Sequence, residues 1–197
     1  MAFEKLRITG QDGRHYRLGE PLEVHDRGTF LGTLDPVTVN RDGTEVLIQR
    51  FLPSAFVKKE KRNFGPLVLL EVTAFLAEQF QGLQAVSYLL SREIELHGDG
   101  MNVALARSAL LEAIGAEAVA VSPRPDSGTP ANFVVRGVWA YNERNIAALG
   151  HCLERERAIY RQWDAAVETD RSIGVLRDRL RQLLARSPGI RGGEAAD

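Results

Sequence analysis

The chain has 197 residues, of which 44% are hydrophobic, and this composition excludes a mainly disordered protein. Its 25 Lys and Arg balance 26 Asp and Glu, which argues against a dedicated nucleic-acid-binding domain. A single cysteine excludes a disulfide scaffold, and no apolar run is long enough for a membrane span or a secretion signal. We therefore expect a cytoplasmic protein with no membrane partner and no nucleic-acid partner.

The N-terminal quarter of the chain has the pattern of an antiparallel meander. Short apolar or alternating runs, typical of β-strands, lie at 5–9, 14–18, 22–25, 30–39 and 44–52. Gly13, Gly28 and Gly43 stand in the turns between runs, because glycine accepts the positive φ that tight hairpins need. Pro36 restricts its strand to a sheet edge or a bend.

From residue 66 onward, helices and strands alternate. The spacing of apolar residues predicts helices over 66–80 and 102–114, and strands over 83–91, 117–122 and 132–141. Pro66 suits the first turn of the first helix, and Gly115 suits the C-terminal cap of the second. The apolar face of the first helix is wide, which predicts that it is deeply buried against a sheet.

The C-terminal part is predicted to contain a pair of helices. Apolar residues recur at helical spacing from Ile146 to Val167 and again from Ile173 to Leu183, and Thr169 or Asp170 is a candidate cap between them. These narrow stripes are typical of helix pairing. Three roles remain open for them: packing on the body, binding of a partner protein, and self-association. We expect an α+β body at 1–141, helices at 142–187 and a disordered tail at 188–197.

This order of elements resembles the GNAT superfamily of N-acyltransferases over about residues 20–141. Residues 22–34 are similar to the family's hairpin of strands two and three, 44–52 to its fourth strand, and 104–116 to its fourth helix. Arg62-Asn63-Phe64-Gly65-Pro66-Leu67 stands at the place of its Arg/Gln-x-x-Gly-x-Gly/Ala loop. The resemblance implies an α+β fold, with a GNAT-like, mixed but mainly antiparallel sheet, flanking helices and here a C-terminal helical pair.

The resemblance also implies that acyl-CoA is the cofactor. Its pyrophosphate would lie at the N-terminus of the first helix, where free backbone N–H groups and the helix dipole favour an anion. The candidate cofactor-binding residues are Lys61, Arg62, Asn63, Phe64 and Gly65. The alternative interpretation of the same residues is a solvated basic turn that enters an ordinary helix.

The sequence departs from the family pattern at several points. Leu67 stands where the loop has a second small residue, and Pro66 removes one N–H donor. About twenty residues precede Leu22, too few for the family's two helices between strands one and two, which normally form part of the acceptor site. Leu111 replaces the tyrosine that often acts as general acid. A non-catalytic relative and an unrelated α+β fold therefore remain alternatives.

Acyl transfer to an amine needs a base and a hydrogen-bond donor beside the reacting carbonyl. Glu45, early on the predicted strand at 44–52, is the candidate base, and Tyr88 is the candidate catalytic donor, with Ser87 beside it. The alternatives are that Glu45 is a solvated strand residue and that Tyr88 is a core residue with a satisfied hydroxyl.

The sequence predicts no metal site. His15, His25 and His151 lack a shared ligand spacing, His97 stands alone in a loop, and Cys152 is expected to be a small buried residue beside a helix seam.

Two functional hypotheses follow, and whether the protein is an enzyme stays open between them. In the first, a GNAT-like protein binds acyl-CoA and transfers the acyl group to an amine by direct attack. In the second, the α+β body is a scaffold, and helices within 143–186 bind a partner protein or a second copy of the chain.

Overall fold

The structure is a computed structural model that describes residues 3–59, 63–91, 100–124 and 133–186, with side chains as far as Val167 and at Thr169. The chain divides into two compact units, one of Glu4–Arg157 and one of Met1–Phe3 with Ala158–Asp197. The first unit contains all the strands that the described residues form.

The described part of the chain contains nine strands and four α-helices. The strands are β1 (Arg7–Thr9), β2 (Leu22–Asp26), β3 (Thr29–Leu34), β4 (Val37–Val39), β5 (Glu45–Ile48), β6 (Phe51–Pro53), β7 (Ala85–Ser91), β8 (Glu117–Pro123) and β9 (Phe133–Ala140). The helices are α1 (Ala55–Lys59), α2 (Gly65–Gln79), α3 (Gly100–Ala113) and α4 (Glu143–Arg186), and a single 3-10 turn (Gln11–Gly13) follows β1.

The strands form two sheets. The first has the order β1-β2-β3-β6 and is antiparallel throughout. The second has the order β4-β5-β7-β9-β8, in which β5 and β7 run parallel and the other neighbours run antiparallel. The expected α+β class with a mixed, mainly antiparallel sheet is confirmed.

Two of the three hairpin turns predicted at glycines, those at Gly28 and Gly43, are present, whereas Gly13 ends the 3-10 turn. Arg27 and Gly28 both have positive φ and connect β2 to β3 as a two-residue turn of the kind that matches the twist of a hairpin. Between β4 and β5, the side-chain oxygen of Asn40 accepts hydrogen bonds from the N–H groups of Thr44 and Glu45.

Three predicted strands differ from the observed ones. The strand at 30–39 is split at Asp35-Pro36 into β3 and β4, and the strand at 44–52 is split into β5 and β6, each pair divided between the two sheets. Residues 14–18 form no strand, because β1 pairs with β2 instead. Their central residue, Tyr16, contacts Phe75 and Phe80 edge-on, with both pairs of ring centroids 5.9 Å apart.

Helices α2 and α3 lie on the same face of the second sheet and cover its core. The hydroxyl groups of Tyr88 on β7 and Thr73 on α2 are 2.8 Å apart, and the indole of Trp139 on β9 donates to the carbonyl of Ile114 at the end of α3. Val86 and Tyr88 share one face of β7, and Val86 is paired with Trp139, so these contacts belong to one side of the sheet. The predicted burial of the first helix is confirmed.

The C-terminal pair of helices is replaced by one continuous helix, α4. The predicted break at Thr169 is absent, because its hydroxyl donates to the carbonyl of Ala165, four residues earlier, as a residue inside a helix does. The helix begins at an Asn142 cap whose side chain accepts the N–H of Asn145. No helix in the described part of the chain combines the length and the apolar content that a bilayer span requires.

The first part of α4 belongs to the same compact unit as the sheets, whereas a boundary was expected after residue 141. Leu149, Cys152 and Leu153 are buried there. The difference arises because the helix presents an apolar face to the body before it continues past Arg157.

Candidate functional site

The pairing between the parallel strands β5 and β7 ends before the carboxyl-terminal end of β7. They are paired from Glu45 with Ala85 to Ile48 with Tyr88. Beyond that point, β6 pairs with β3, and Leu89 to Ser91 pair with β9. The carboxyl-terminal ends of the two strands therefore no longer pair with each other, and the place where they part is called the cleft below.

The start of α2 follows β6 in the chain after the short helix α1. Pro66 lies in the first turn of α2 and offers no N–H group, whereas Gly65 donates its N–H to the side-chain oxygen of Asn63 at 3.2 Å. The N–H of Val68 is bonded to the carbonyl of Phe64, as in a regular helix. The N–H groups of Gly65 and Leu67 are therefore the backbone donors with which the start of the helix could bind an anion.

The structure separates the five candidate cofactor-binding residues. Asn63 and Gly65 are exposed at the helix start, and Phe64 is buried in the core. Lys61 and Arg62 lie outside the described residues. The exposed N–H of Gly65 fits one phosphate oxygen, since the side-chain oxygen of Asn63 already occupies that position. Pro66, which has no N–H, and the large side chain of Leu67 leave less room for a phosphate than a loop built from several glycines.

Glu45 and Ser87 face away from α2. The hydroxyl of Ser87 donates a hydrogen bond to the carboxylate of Glu45 across the parallel pair, and both side chains are partly exposed. The neighbouring residue on this face of β9 is Val138, which pairs with Ser87 and is 38% exposed. This face of the sheet, defined here by Glu45, Leu47, Ser87, Arg136 and Val138, is called the open face below.

Tyr88 lies on the opposite side of the sheet from Glu45, so the two predicted catalytic residues are not brought together. The hydroxyl of Thr73 donates to the carbonyl of Leu69, which means that the Tyr88 hydroxyl donates to Thr73. Burial raises the pKa of Tyr88. Its surroundings are those of a core tyrosine with a satisfied hydroxyl.

Sequence reasoning did not find the pairing of Glu45 with Ser87, because the register of two strands forty residues apart leaves no local signal. It also missed the short helix α1, although a signal was present. Ser54 stands before the apolar run that begins α1, and its hydroxyl oxygen accepts the N–H of Val57 as a helix cap does.

The order of elements seen here agrees with the family resemblance in the sequence. The hairpin β2–β3, the parallel crossover β5–α2–β7 with its diverging strands, and the helix α3 that ends at Gly115 with φ of 83° all stand at the expected places. The chain has a GNAT-like fold.

No protein-family model matches the chain, and no curated protein sequence matches it either. Among solved structures, it is similar to the N-terminal domain of ribosomal-protein-alanine acetyltransferase from Clostridium acetobutylicum, with 10% identity over 74% of this chain and 99% of that one, at a TM-score of 0.44. It is also similar to Arabidopsis thaliana Naa50 in complex with a bisubstrate analogue, with 8% identity over 70% of this chain and 100% of that one, at a TM-score of 0.41.

A third similar structure is the diaminobutyrate acetyltransferase EctA from Paenibacillus lautus, in complex with its substrate and coenzyme A. It has 12% identity over 64% of this chain and 73% of that one, at a TM-score of 0.37. At these values the function has to be argued from the residues of the GNAT-like chain itself.

Proposed function

We propose that this GNAT-like protein binds an acyl-CoA in the cleft between β6 and β7 and transfers the acyl group to an amine. The observation that carries the proposal is the separation of the parallel strands beyond Ile48 and Tyr88, on the crossover that contains the N-terminus of α2. A gap between diverging strands exposes backbone groups that a flat sheet would pair. An elongated thioester with an anionic end suits such a gap, because the helix start favours its negative charge.

The helix start would hold the pyrophosphate through the N–H groups of Gly65 and Leu67. Lys58 and Lys59 are exposed in the last turn of α1, which precedes this helix start in the chain, and they would add positive potential. A phosphate oxygen would replace the Asn63 oxygen that Gly65 now contacts, so Asn63 has to turn aside on binding. The thioester, when bound, supplies an activated acyl group.

Glu45 is proposed to accept the proton that the attacking amine loses. The new bond forms between the amine nitrogen and the acyl carbon, the carbon–sulfur bond breaks with its electron pair leaving on the CoA thiolate, and the proton goes to the Glu45 carboxylate. The hydrogen bond from Ser87 orients that carboxylate and leaves its second oxygen for the amine. Leu111, at the position of the family's acid, is fully buried and carries no exchangeable proton.

The open face is the proposed entry side for the amine. The connection from β1 to β2 contains a single 3-10 turn and no α-helix, so no helix of that connection covers this face. Helix α4 is held to α2 by the ion pair between Arg157 and the buried carboxylate of Glu71. Because α2 and α3 lie over the other side of the sheet, Glu45 stands on a face that these two helices leave uncovered. Such a face suits an amine carried on a large molecule better than a small amine that needs an enclosing pocket.

Calorimetry with acetyl-CoA and free CoA tests the binding step. Saturable binding is expected, and Gly65→Asp should weaken it by at least about tenfold, because a carboxylate would stand where the phosphate binds. Gly82→Asp is the matched control, since Gly82 is also an exposed glycine with open space around it. Absence of heat and of thermal stabilisation at millimolar CoA would overturn the proposal.

The transfer step is tested separately by thiol release from acetyl-CoA with a panel of peptides that carry free amines. Glu45→Gln should keep cofactor binding and lower the rate by about 10²–10⁴-fold, the usual contribution of a general base. Glu117→Gln, an exposed carboxylate on the edge strand β8, should leave the rate unchanged. Equal rates in the two variants would remove Glu45 from the mechanism.

A second candidate function is protein–protein interaction through α4, which continues as a helix to Arg186. Trp163 supports it, since this large apolar side chain is 38% exposed on a strongly polar helix. In this alternative, the residues of α4 beyond Arg157 bind a partner or a second copy of the chain. The mass measurement described in the Discussion tests it.

A further inference from the structure

Arg136 is a cation on the open face that the proposed transfer step does not use. It lies on β9 and is exposed, and none of the residues that the structure describes forms a hydrogen bond or an ion pair with it. Among the residues that define the open face, Glu45 and Arg136 carry charges, and the two charges are opposite. A ligand that lies along this face therefore meets one anion and one cation.

The strand register determines the distance between these two charges. Ser87, whose hydroxyl holds the Glu45 carboxylate, is paired with Val138, and Arg136 stands two residues before Val138 on β9. Ser87 and Arg136 are therefore diagonal neighbours on one face of an antiparallel pair. Such neighbours lie about 7–8 Å apart, within reach of a long side chain. An amine at Glu45 and an anion at Arg136 would be separated by about the same distance.

Apolar side chains lie beside the path between the two charges. Leu89 is paired with Arg136, as Val138 is with Ser87. Leu89 is partly exposed, and Val138 is 38% exposed. A ligand that reaches from Glu45 to Arg136 covers these two side chains, and the apolar surface that it removes from water adds to its binding.

We propose that the open face selects peptides in which an acidic side chain stands two residues after a free amine, and that Arg136 determines this preference. The inference rests on the proposed transfer to an amine. In an extended peptide, the first and third residues are about 7 Å apart and their side chains point to the same side, which matches the spacing of the two charges. The amine faces Glu45, and the acidic side chain accepts hydrogen bonds from the Arg136 guanidinium.

Amide chemical shifts of the full chain test the binding, with free CoA present so that no transfer occurs. Three peptides of four residues, each with an amidated C-terminus, differ only at the third residue, which is Glu, Gln or Arg. Saturable shifts are expected at Ser87, Leu89 and Val138. The Glu peptide should bind about three- to fivefold more tightly than the Gln peptide, as expected for one exposed ion pair, and the Arg peptide should bind most weakly. High salt should reduce these differences.

Variants assign the preference to one side chain. Arg136→Gln should bind the Glu and Gln peptides equally, and Arg136→Glu should prefer the Arg peptide, a reversal that damage to the fold does not produce. Arg17→Gln, which removes an exposed arginine outside the open face, should keep the original order. A preference for the Glu peptide that survives in Arg136→Gln, or no saturable shift at millimolar peptide, would overturn the proposal. Shifts at Leu89 and Val138 that depend on protein concentration alone would overturn it in favour of a second copy of the chain.

Thiol release from acetyl-CoA with the same three peptides separates this inference from the proposed function. The values of kcat/KM should follow the order of binding. Equal values for all three peptides would keep the transfer and remove the selection by Arg136. Binding in the expected order without thiol release would keep the selection and remove the transfer.

Discussion

At the scale of single residues, several positions are determined by backbone conformation and by close contacts. Gly115 ends α3 with φ of 83°, and a Cβ atom built on it would overlap the side chain of Asn145 on α4. Asn145 is itself buried and donates to the carbonyl of Ala140 at 2.9 Å. Gly115 therefore allows the end of α3 and the start of α4 to meet.

The first prediction concerns this glycine. Gly115→Ala should lower the free energy of unfolding by about 1–3 kcal/mol, through strain at positive φ and displacement of Asn145. Gly150→Ala, an exposed helical site with open space around it, should raise that free energy by about 0.5–1 kcal/mol. Urea unfolding measures both, and equal effects would contradict the close contact.

The second prediction concerns Tyr16. Burial, with a smaller contribution from Glu20, raises its pKa from 10.0 to about 12, although the Gly19 backbone opposes the rise. Between these two pH values the unfolded chain loses the phenolic proton first, so stability present below pH 10 is lost as pH rises towards 12. Tyr16→Phe should remove part of this decline while changing stability little at neutral pH.

The measurement is urea unfolding of both proteins at neutral pH and across the alkaline range. The informative quantity is the difference between their slopes, since other tyrosines and the lysines titrate in both. Parallel slopes would show that the Tyr16 hydroxyl is not shielded in the folded protein.

At the scale of elements, the attachment of α4 to α2 depends on a charged pair. Arg157 donates two hydrogen bonds of 2.9 Å to the carboxylate of Glu71, which is buried in the otherwise apolar face of α2. These hydrogen bonds raise the pKa of Arg157, and a third bond joins it to exposed Glu154. The N–H of Leu6 also approaches Glu71, at 3.5 Å.

The third prediction is that Arg157→Leu lowers the free energy of unfolding by about 3 kcal/mol, because it leaves the Glu71 carboxylate buried without a cation. The double variant with Glu71→Leu should recover most of this loss, since two apolar side chains then face each other. Glu154→Gln should cost less than about 1 kcal/mol, as expected for an exposed partner. A double variant no more stable than Arg157→Leu would contradict this account.

At the scale of the whole molecule, the length of α4 bears on the oligomeric state. The unit that contains Ala158 and the residues after it has a contact between the rings of Phe3 and Tyr160, 4.4 Å between centroids. In the same unit Trp163 is exposed. A polar helix of this length with an exposed tryptophan is typical of a helix that gains stability by association.

The fourth prediction is that the full chain is larger than a monomer by light scattering and that Trp163→Glu shifts it towards the monomer mass. The reason is that a buried, unpaired carboxylate would oppose association at a helix interface. Ile146→Glu is the matched control, because Ile146 is similarly exposed but lies in the part of α4 that belongs to the body. A monomeric full chain would end the proposal of self-association.

The local elements followed from the sequence because their signals are local. Turns at Gly28 and Gly43, the helix that begins near Pro66 and the cap at Gly115 each depend on the conformational range of a residue or on nearby spacing. The order of these elements was enough to indicate a GNAT-like fold. The continuous helix α4 was mispredicted, because the Thr169 hydroxyl bonds equally well inside a helix and at its start.

Only the tertiary structure decided which residues meet. The register of β5 against β7 brought the Ser87 hydroxyl to the Glu45 carboxylate and turned Tyr88 to the opposite face of the sheet. A shift of one residue would have exchanged the faces on which Ser87 and Tyr88 lie. The pairing of Glu71 with Arg157 joins segments that lie far apart in the chain. Sequence by itself determined most of the elements of this protein, whereas the residues that meet at the candidate site were decided by strand register and packing, which no local pattern encodes.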